Sequence, residues 1–263
     1  MDIEKNIIEG IKEAVEVSFS IEKIKENYDK HRNKIHFLPV DMRVFSGGIQ
    51  SLNIKLGNIL VDITADIIER NPKLELHELS GKKIKKTNSI QTRSAIDDYM
   101  TDFNSANKTS ENDFNILASL IYNNEPSEVK KGTKKVDVDL LFINKDEDKI
   151  YFFESKAVDD HDTGKFDDIN RKVFATYGAL LNELRPNERH KLVPNLMYFS
   201  ERVRYDPIYI PKNHQFRGRA FFKNFLDYDL SELDTILIKA SDAISPYIKE
   251  KYKEIVIDQK YNA

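Results

Sequence analysis

The 263-residue sequence predicts a mixed α/β (α+β) fold, with a mixed central sheet flanked by helices and a helical N-terminal half. Three observations predict it. Helical periodicity fills the first half; two apolar runs joined by a charged turn form a hairpin between residues 134 and 157; an amphipathic helix and a further strand follow. A helix lying between strands points to a mixed sheet covered by helices.

Residues 3 to 30 read as helical. The "SGG" at 46–48 reads as a break, after which Ser51 is placed to cap a helix over 51–70. On that helix Leu52, Leu56, Ile59, Ile63 and Ile67 form one apolar stripe, while Ile54, Val61, Ala65 and Ile68 fall opposite, which predicts packing on both sides. A polar strip of Lys55, Asn58, Asp62, Asp66 and Glu69 lies between the stripes and reaches solvent or lines a cleft. Helices over 94–103 and 112–122 follow. From Lys134, "KKVDVDLLFI" alternates and then turns apolar, as a strand entering a buried sheet does; "NKDEDK" is a charged turn and "IYFFESKA" the returning strand. "DDHDTG" is a loop, and 165–184 a helix with Phe166, Ile169, Val173, Tyr177, Leu180 and Leu181 on one face. "VPNLMYFS" is a short strand. Beyond Ser200, "PIYIP" reads as extended, "FRGRAFFKNFL" as a short basic helix, and a helix follows Ser231, interrupted near Pro246.

The hydrophobic content of 40% supports a substantial core, and no repeat or flexible linker divides the chain. One compact domain is expected, composed of a helical region over 1–127, a core over 128–200 and a basic, helical region over 201–263. The absence of cysteine excludes disulfides, thiol nucleophiles and cysteine-ligated zinc or iron–sulfur sites. The acidic, charge-punctuated start lacks the pattern of a signal peptide, and no window approaches the roughly 20 apolar residues of a membrane helix. A soluble, cytoplasmic protein without membrane contacts is expected.

The net charge of −3 conceals an uneven distribution. Lys82, Lys83, Lys85, Lys86 and Arg93 form a stretch without an acid. Asp137 to Asp168 is strongly acidic. From Arg202 to Lys223 cations dominate again, with Asp206 the single acid. Two basic stretches bracket an acidic one.

The hairpin is where chemistry concentrates. Period-2 alternation puts Ile150, Phe152, Glu154 and Lys156 on one face of the returning strand, and Asp137, Asp139 and Leu141 on one face of the first. Asp137 or Asp139 can therefore lie beside Glu154. Two carboxylates that close repel unless a cation joins them, and an oxygen-rich, cysteine-free set suits Mg2+ or Mn2+. Lys156 falls at the rim. An acid, any residue and a lysine is a common triplet in a chain that is 32% charged, and Glu128/Lys130, Glu147/Lys149 and Asp258/Lys260 repeat it as ordinary surface. Glu154/Lys156 stands apart because it ends a buried strand of an acid-bearing hairpin, with a helix and a strand to follow.

Asp139, the "ESK" of Glu154–Ser155–Lys156 fifteen residues on, and the helix and strand after it resemble the PD-(D/E)XK nuclease superfamily over about residues 128–200. Length, helical first half and basic C-terminal region resemble its type II restriction endonucleases in particular. The resemblance implies a restriction-endonuclease-like core and a Mg2+-dependent enzyme, with Mn2+ able to substitute, that cuts double-stranded DNA at short sequences as a homodimer, alongside a cognate DNA methyltransferase. It implies Asp139 and Glu154 as metal ligands, the Ser155 carbonyl as a further ligand and Lys156 as the catalytic lysine. Val138 stands where the superfamily often has proline, and Asp137 remains an alternative first ligand. An acid from an N-terminal helix would fall on Asp62 or Asp66. A nuclease of repair or recombination on the same core, and a non-catalytic DNA-binding protein, are the alternatives.

Candidate DNA contacts are Arg217, Arg219 and Lys223 in "FRGRAFFK", where a glycine allows close backbone approach, and Arg93 in "KKIKKTNSIQTRS", which leads into a helix N-terminus at Ser94 able to receive an anion. His161 lies in a polar loop with no second histidine nearby and reads as surface. There is no G-x-S-x-G elbow and no P-loop.

Overall fold

The computed structural model describes residues 3–85, 88–103, 107–125, 135–159 and 162–258. In chain order the elements are α1 (Ile3–Ser18), α2 (Ile21–His31), α3 (Val40–Arg70), β1 (Leu74–Leu76), β2 (Lys83–Lys85), α4 (Ile90–Asp102), α5 (Glu111–Asn124), β3 (Lys135–Asp137), β4 (Leu140–Asn144), β5 (Lys149–Lys156), α6 (Thr163–Glu183), β6 (Leu192–Tyr198), β7 (Gln215–Arg217), α7 (Gly218–Asn224) and α8 (Ser231–Tyr252). Lys86, Glu128, Lys130, Lys134, His161 and Lys260 lie outside the described residues. The chain groups into two compact units, residues 1–63 with 229–263, and residues 64–228.

The first unit is helical. Ile7, Ile11, Val15, Phe19, Ile24, Val44 and Leu52 are buried with Leu233, Ile236, Ala240 and Ile244 of α8. The expected break at "SGG" is absent, and α3 runs unbroken from Val40 to Arg70. Gly47 and Gly48 serve close packing instead: a Cβ at Gly48 would collide with the Phe19 ring, and one at Gly47 with the Asn27 side chain. Ser51 is consequently mid-helix, its hydroxyl accepting from Ser18 at 3.4 Å. Of the two apolar stripes, Leu52, Ile63, Ile67 and Ile68 are buried but Ile54 is exposed. Asp62 and Asp66 are open to solvent. Pro246 does not interrupt α8. Its fixed φ is compatible with helix, and the carbonyl it leaves without an N–H partner, on Asp242, belongs to an exposed residue that water reaches.

The second unit holds a five-stranded mixed sheet in the order β1-β4-β5-β6-β7 and a small two-stranded sheet of β2 and β3. β4 and β5 are antiparallel, with Leu141 opposite Phe152 and Leu140 opposite Phe153. The turn forms because Asn144 Oδ1 accepts the N–H groups of Asp146 and Glu147. The α6 crossover returns the chain parallel to β5 as β6, pairing Glu154 with Leu196 and Lys156 with Tyr198. Side-chain alternation sorts β5 between two layers. Ile150 and Phe152 join a core with Leu141, Phe166, Val173, Tyr177 and Leu180. Tyr151 and Phe153 meet Phe142, Phe221 and Phe225 in an aromatic cluster on the other face.

Several boundaries move for local reasons. The strand expected from Lys134 divides at Val138–Asp139. Val138 exchanges hydrogen bonds with the Gly81–Lys82 turn, donating to Lys82 O and accepting from Gly81 N, so β3 turns away to pair with β2. α4 starts at Ile90, because Ser89 caps it by accepting from Thr92 N; Ser94 is inside the helix and offers no N-terminal anion site. α5 is closed by a capping box of Ser110 and Asp113. "PIYIP" forms no strand, although Ile208 O and Tyr209 O accept from Thr109 N and the Tyr99 hydroxyl. "FRGRAFFKNFL" is strand and then helix, the chain turning at Gly218 with φ of 33°.

Candidate active site

The antiparallel pairing of β4 with β5 brings the hairpin acids to one end of the sheet. The β4–β5 register stops at Leu140 opposite Phe153, so Asp139, the next residue outward, stands against the Glu154–Ser155 step. Asp139 Oδ2 accepts the Ser155 N–H at 2.8 Å. Glu154 is fully buried, and its Oε1 accepts from both the Lys156 and the Lys172 ammonium groups, the latter at 2.6 Å. Lys156 also donates to Ser155 O at 3.1 Å. Glu154 Oε2 is buried and has no hydrogen-bond partner.

The charges shape one another. Burial and the nearby Glu154 carboxylate push the Asp139 carboxyl up to about 6, against the opposing pull of Lys172 and Lys156. Burial alone would lower the Lys172 ammonium, but Glu154 and Asp139 outweigh it and hold the group above its ordinary range. Two acids and two lysines thus share a site at the end of a buried sheet.

Asp137 stays outside the hydrogen-bonded cluster, although its charge still adds to the raising of Lys172. It belongs to β3, is exposed and pairs with Lys83 at 3.6 Å. Asp62 and Asp66 are exposed on α3, and among the described residues no group of three or more histidine or acidic side chains could hold a metal. Val138 in the proline position has a local reason, since its N–H donates to Lys82 O at 3.0 Å and proline has none to donate.

Lys172 escaped the sequence reading. It lies eighteen residues beyond Glu154, and in "NRKVF" it looks like any lysine on the polar side of a helix. Only folding brings α6 back across the end of β5.

The proposed DNA contacts divide. Arg217 is committed internally: it donates to Asp159 Oδ2 at 2.6 Å and to Arg202 O at 2.6 Å, and its guanidinium lies over the Tyr198 ring. Asp159 is buried, so this pair ties the chain just after Lys156 to β7. Gly218 admits the Glu201 carboxylate, which accepts the Arg219 N–H, in the close approach that the glycine suggested for DNA. Arg219, Lys223 and Arg93 are exposed.

A family model described as "Type II restriction endonuclease, HinfI" matches residues 1–241. The chain is 35% identical over 233 residues to the type II restriction enzyme HinfI of Haemophilus influenzae, an alignment covering 86% of each protein. No solved structure matches. Among the described residues no helix is long and apolar enough to cross a membrane.

Proposed function

Because the chain belongs to the HinfI family of type II restriction endonucleases, and so cleaves double-stranded DNA at specific sequences, we propose that it cuts at Asp139, Glu154 and Lys156 with Mg2+, for which Mn2+ can substitute. The observation that carries this reading is the unpartnered, buried Oε2 of Glu154 beside an Asp139 carboxyl that resists ionisation. Both features are what a cation would relieve. The donors are all oxygen, from Asp139, Glu154 and the Ser155 carbonyl, and the chain offers no thiolate; such a set fits a hard divalent cation. When bound, the cation would polarise the scissile phosphate and acidify the attacking water.

The chain's own groups supply the rest. Lys156 orients the water for in-line attack on phosphorus, its ammonium anchored between Glu154 Oε1 and Ser155 O. Lys172 places a second positive charge where the non-bridging phosphate oxygens gain charge. The water oxygen gives up a proton as it bonds to phosphorus, the bond to the 3′ oxygen breaks, and that oxygen takes up a proton. The products are a 5′-phosphate and a 3′-hydroxyl.

Each chain carries one such centre, so cutting both strands calls for a second copy, and a homodimer is the simplest arrangement. A cytoplasmic enzyme of this kind needs a cognate methyltransferase to protect the host's own sites. Phage DNA incubated with Mg2+, Mn2+ or EDTA tests the reading. Discrete fragments with either metal, none in EDTA, and sequenced ends bearing 5′-phosphates are expected; cutting undiminished by EDTA would overturn it.

A further inference from the structure

We propose that the loop between α2 and α3, residues 32–39, is a DNA-contacting wedge, with cations that hold phosphates and an apolar tip that packs into a groove. Ile35 and Phe37 are fully exposed, at 105% and 106%, and Leu38 and Met42 are also open. Large apolar side chains this bare, so close together, are unusual on a surface and mark a contact. The loop is built. Arg43, itself buried, donates to His31 O at 2.8 Å and Lys34 O at 3.3 Å, and Leu38 N donates to His36 Nδ1 at 2.9 Å. Backbone bonds from Lys34 N to His31 O and from Arg43 N to Pro39 O close both ends. The tip is thereby held out by its own base.

Charge identifies the occupant. "KHRNKIHFLPV", residues 30 to 40, contains Lys30, Arg32 and Lys34 and no acid. The Arg32 guanidinium pairs with the exposed Asp29, at 3.4 Å, in an ion pair that a phosphate can displace. A twofold contact of this loop with its own copy would press the same cations together, whereas a polyanion is complementary to them. Apolar wedges flanked by cations are a recurring way of gripping and bending a duplex. The inference rests on duplex DNA as the substrate and not on the assignment of the cation ligands.

The test is binding in EDTA of the full-length protein to a fluorescein-labelled duplex spanning a mapped cleavage site, across a salt series, with sedimentation of each variant. Lys34→Ala should lower the slope of log affinity against log salt by about 0.9, the signature of one lost phosphate contact. Phe37→Ala should weaken binding about tenfold, with Ile35→Ala acting in the same direction, and each variant keeping the wild-type melting temperature and oligomeric state. Ile238→Ser, on exposed α8 surface, should change neither. Unchanged affinity in Phe37→Ala and Lys34→Ala would overturn the proposal, as would dissociation of an oligomer by Phe37→Ala, which assigns the tip to a second copy. Failure of the cation-ligand reading would instead appear as cleavage that survives loss of Glu154, with binding in EDTA unaffected.

Discussion

The Lys172 ammonium lies 2.6 Å from the same Glu154 Oε1 that Lys156 engages, reaching it from a helix and not from the catalytic strand. Two cations on one oxygen leave the other oxygen free for a metal. Lys172→Ala should therefore weaken cleavage by about a hundredfold, the usual scale for losing one charge-stabilising donor. It should also cost roughly 1–3 kcal/mol of stability, because a buried carboxylate loses a charged partner while keeping Lys156. Lys172→Arg should recover much of both. Single-turnover cleavage and urea unfolding measure the two effects separately.

Metal should stabilise the protein through Glu154. Adding Mg2+ in the absence of DNA should raise the thermal midpoint of the wild type, since a ligand bound only to the folded state shifts unfolding by mass action. In Glu154→Gln the shift should vanish.

Asp139 gives a pH signature in the metal-free protein. Its folded carboxyl titrates near 6, above its ordinary 3.8, so the unfolded chain releases the proton first as pH rises. Stability is then lost between about pH 4 and pH 6, by about 3 kcal/mol. Asp139→Asn keeps an acceptor for the Ser155 N–H but removes the charge. It should make the metal-free protein more stable than wild type above pH 6, read by urea midpoints across pH, while cleavage is lost.

His214 acts in the opposite sense. Burial holds its imidazole below the ordinary 6.5, with its Nδ1 3.2 Å from Asn195 Oδ1 and its ring against Phe114. The unfolded chain takes up the proton first as pH falls, so stability declines from about pH 7 downward. His214→Gln should flatten that decline.

Arg217 and Lys223 should separate structure from DNA contact. Removing Arg217 leaves buried Asp159 without its ion pair, a loss of about 3–5 kcal/mol. Lys223→Ala, at an exposed position, should leave the melting temperature unchanged and reduce DNA affinity and its salt dependence.

Much of the fold was legible because apolar periodicity is a local signal. The hairpin, α6 and β6 follow directly from alternation and helical spacing, and with them the meeting of Asp139, Glu154 and Lys156. What escaped depended on contacts. "SGG" looks like a break until Phe19 and Asn27 are seen to need the space. The ion pair of Arg217 with buried Asp159 has no sequence signal, because the two lie far apart in the chain. The sequence favours Asp139 and leaves Asp137 as the alternative; the bonds of Val138 to the Gly81–Lys82 turn, which send Asp137 out to Lys83, carry no sequence signal. Lys172 has no sequence signature, because its partner is eighteen residues away and on another element.

The most direct test of the centre compares Asp137→Asn with Asp139→Asn in Mg2+-dependent cleavage of phage DNA, at matched concentration and with folding checked by circular dichroism. Wild-type fragments from Asp137→Asn and uncut DNA from Asp139→Asn are predicted. Cutting by Asp139→Asn at the wild-type rate, or loss of cutting in a folded Asp137→Asn, would contradict the site described.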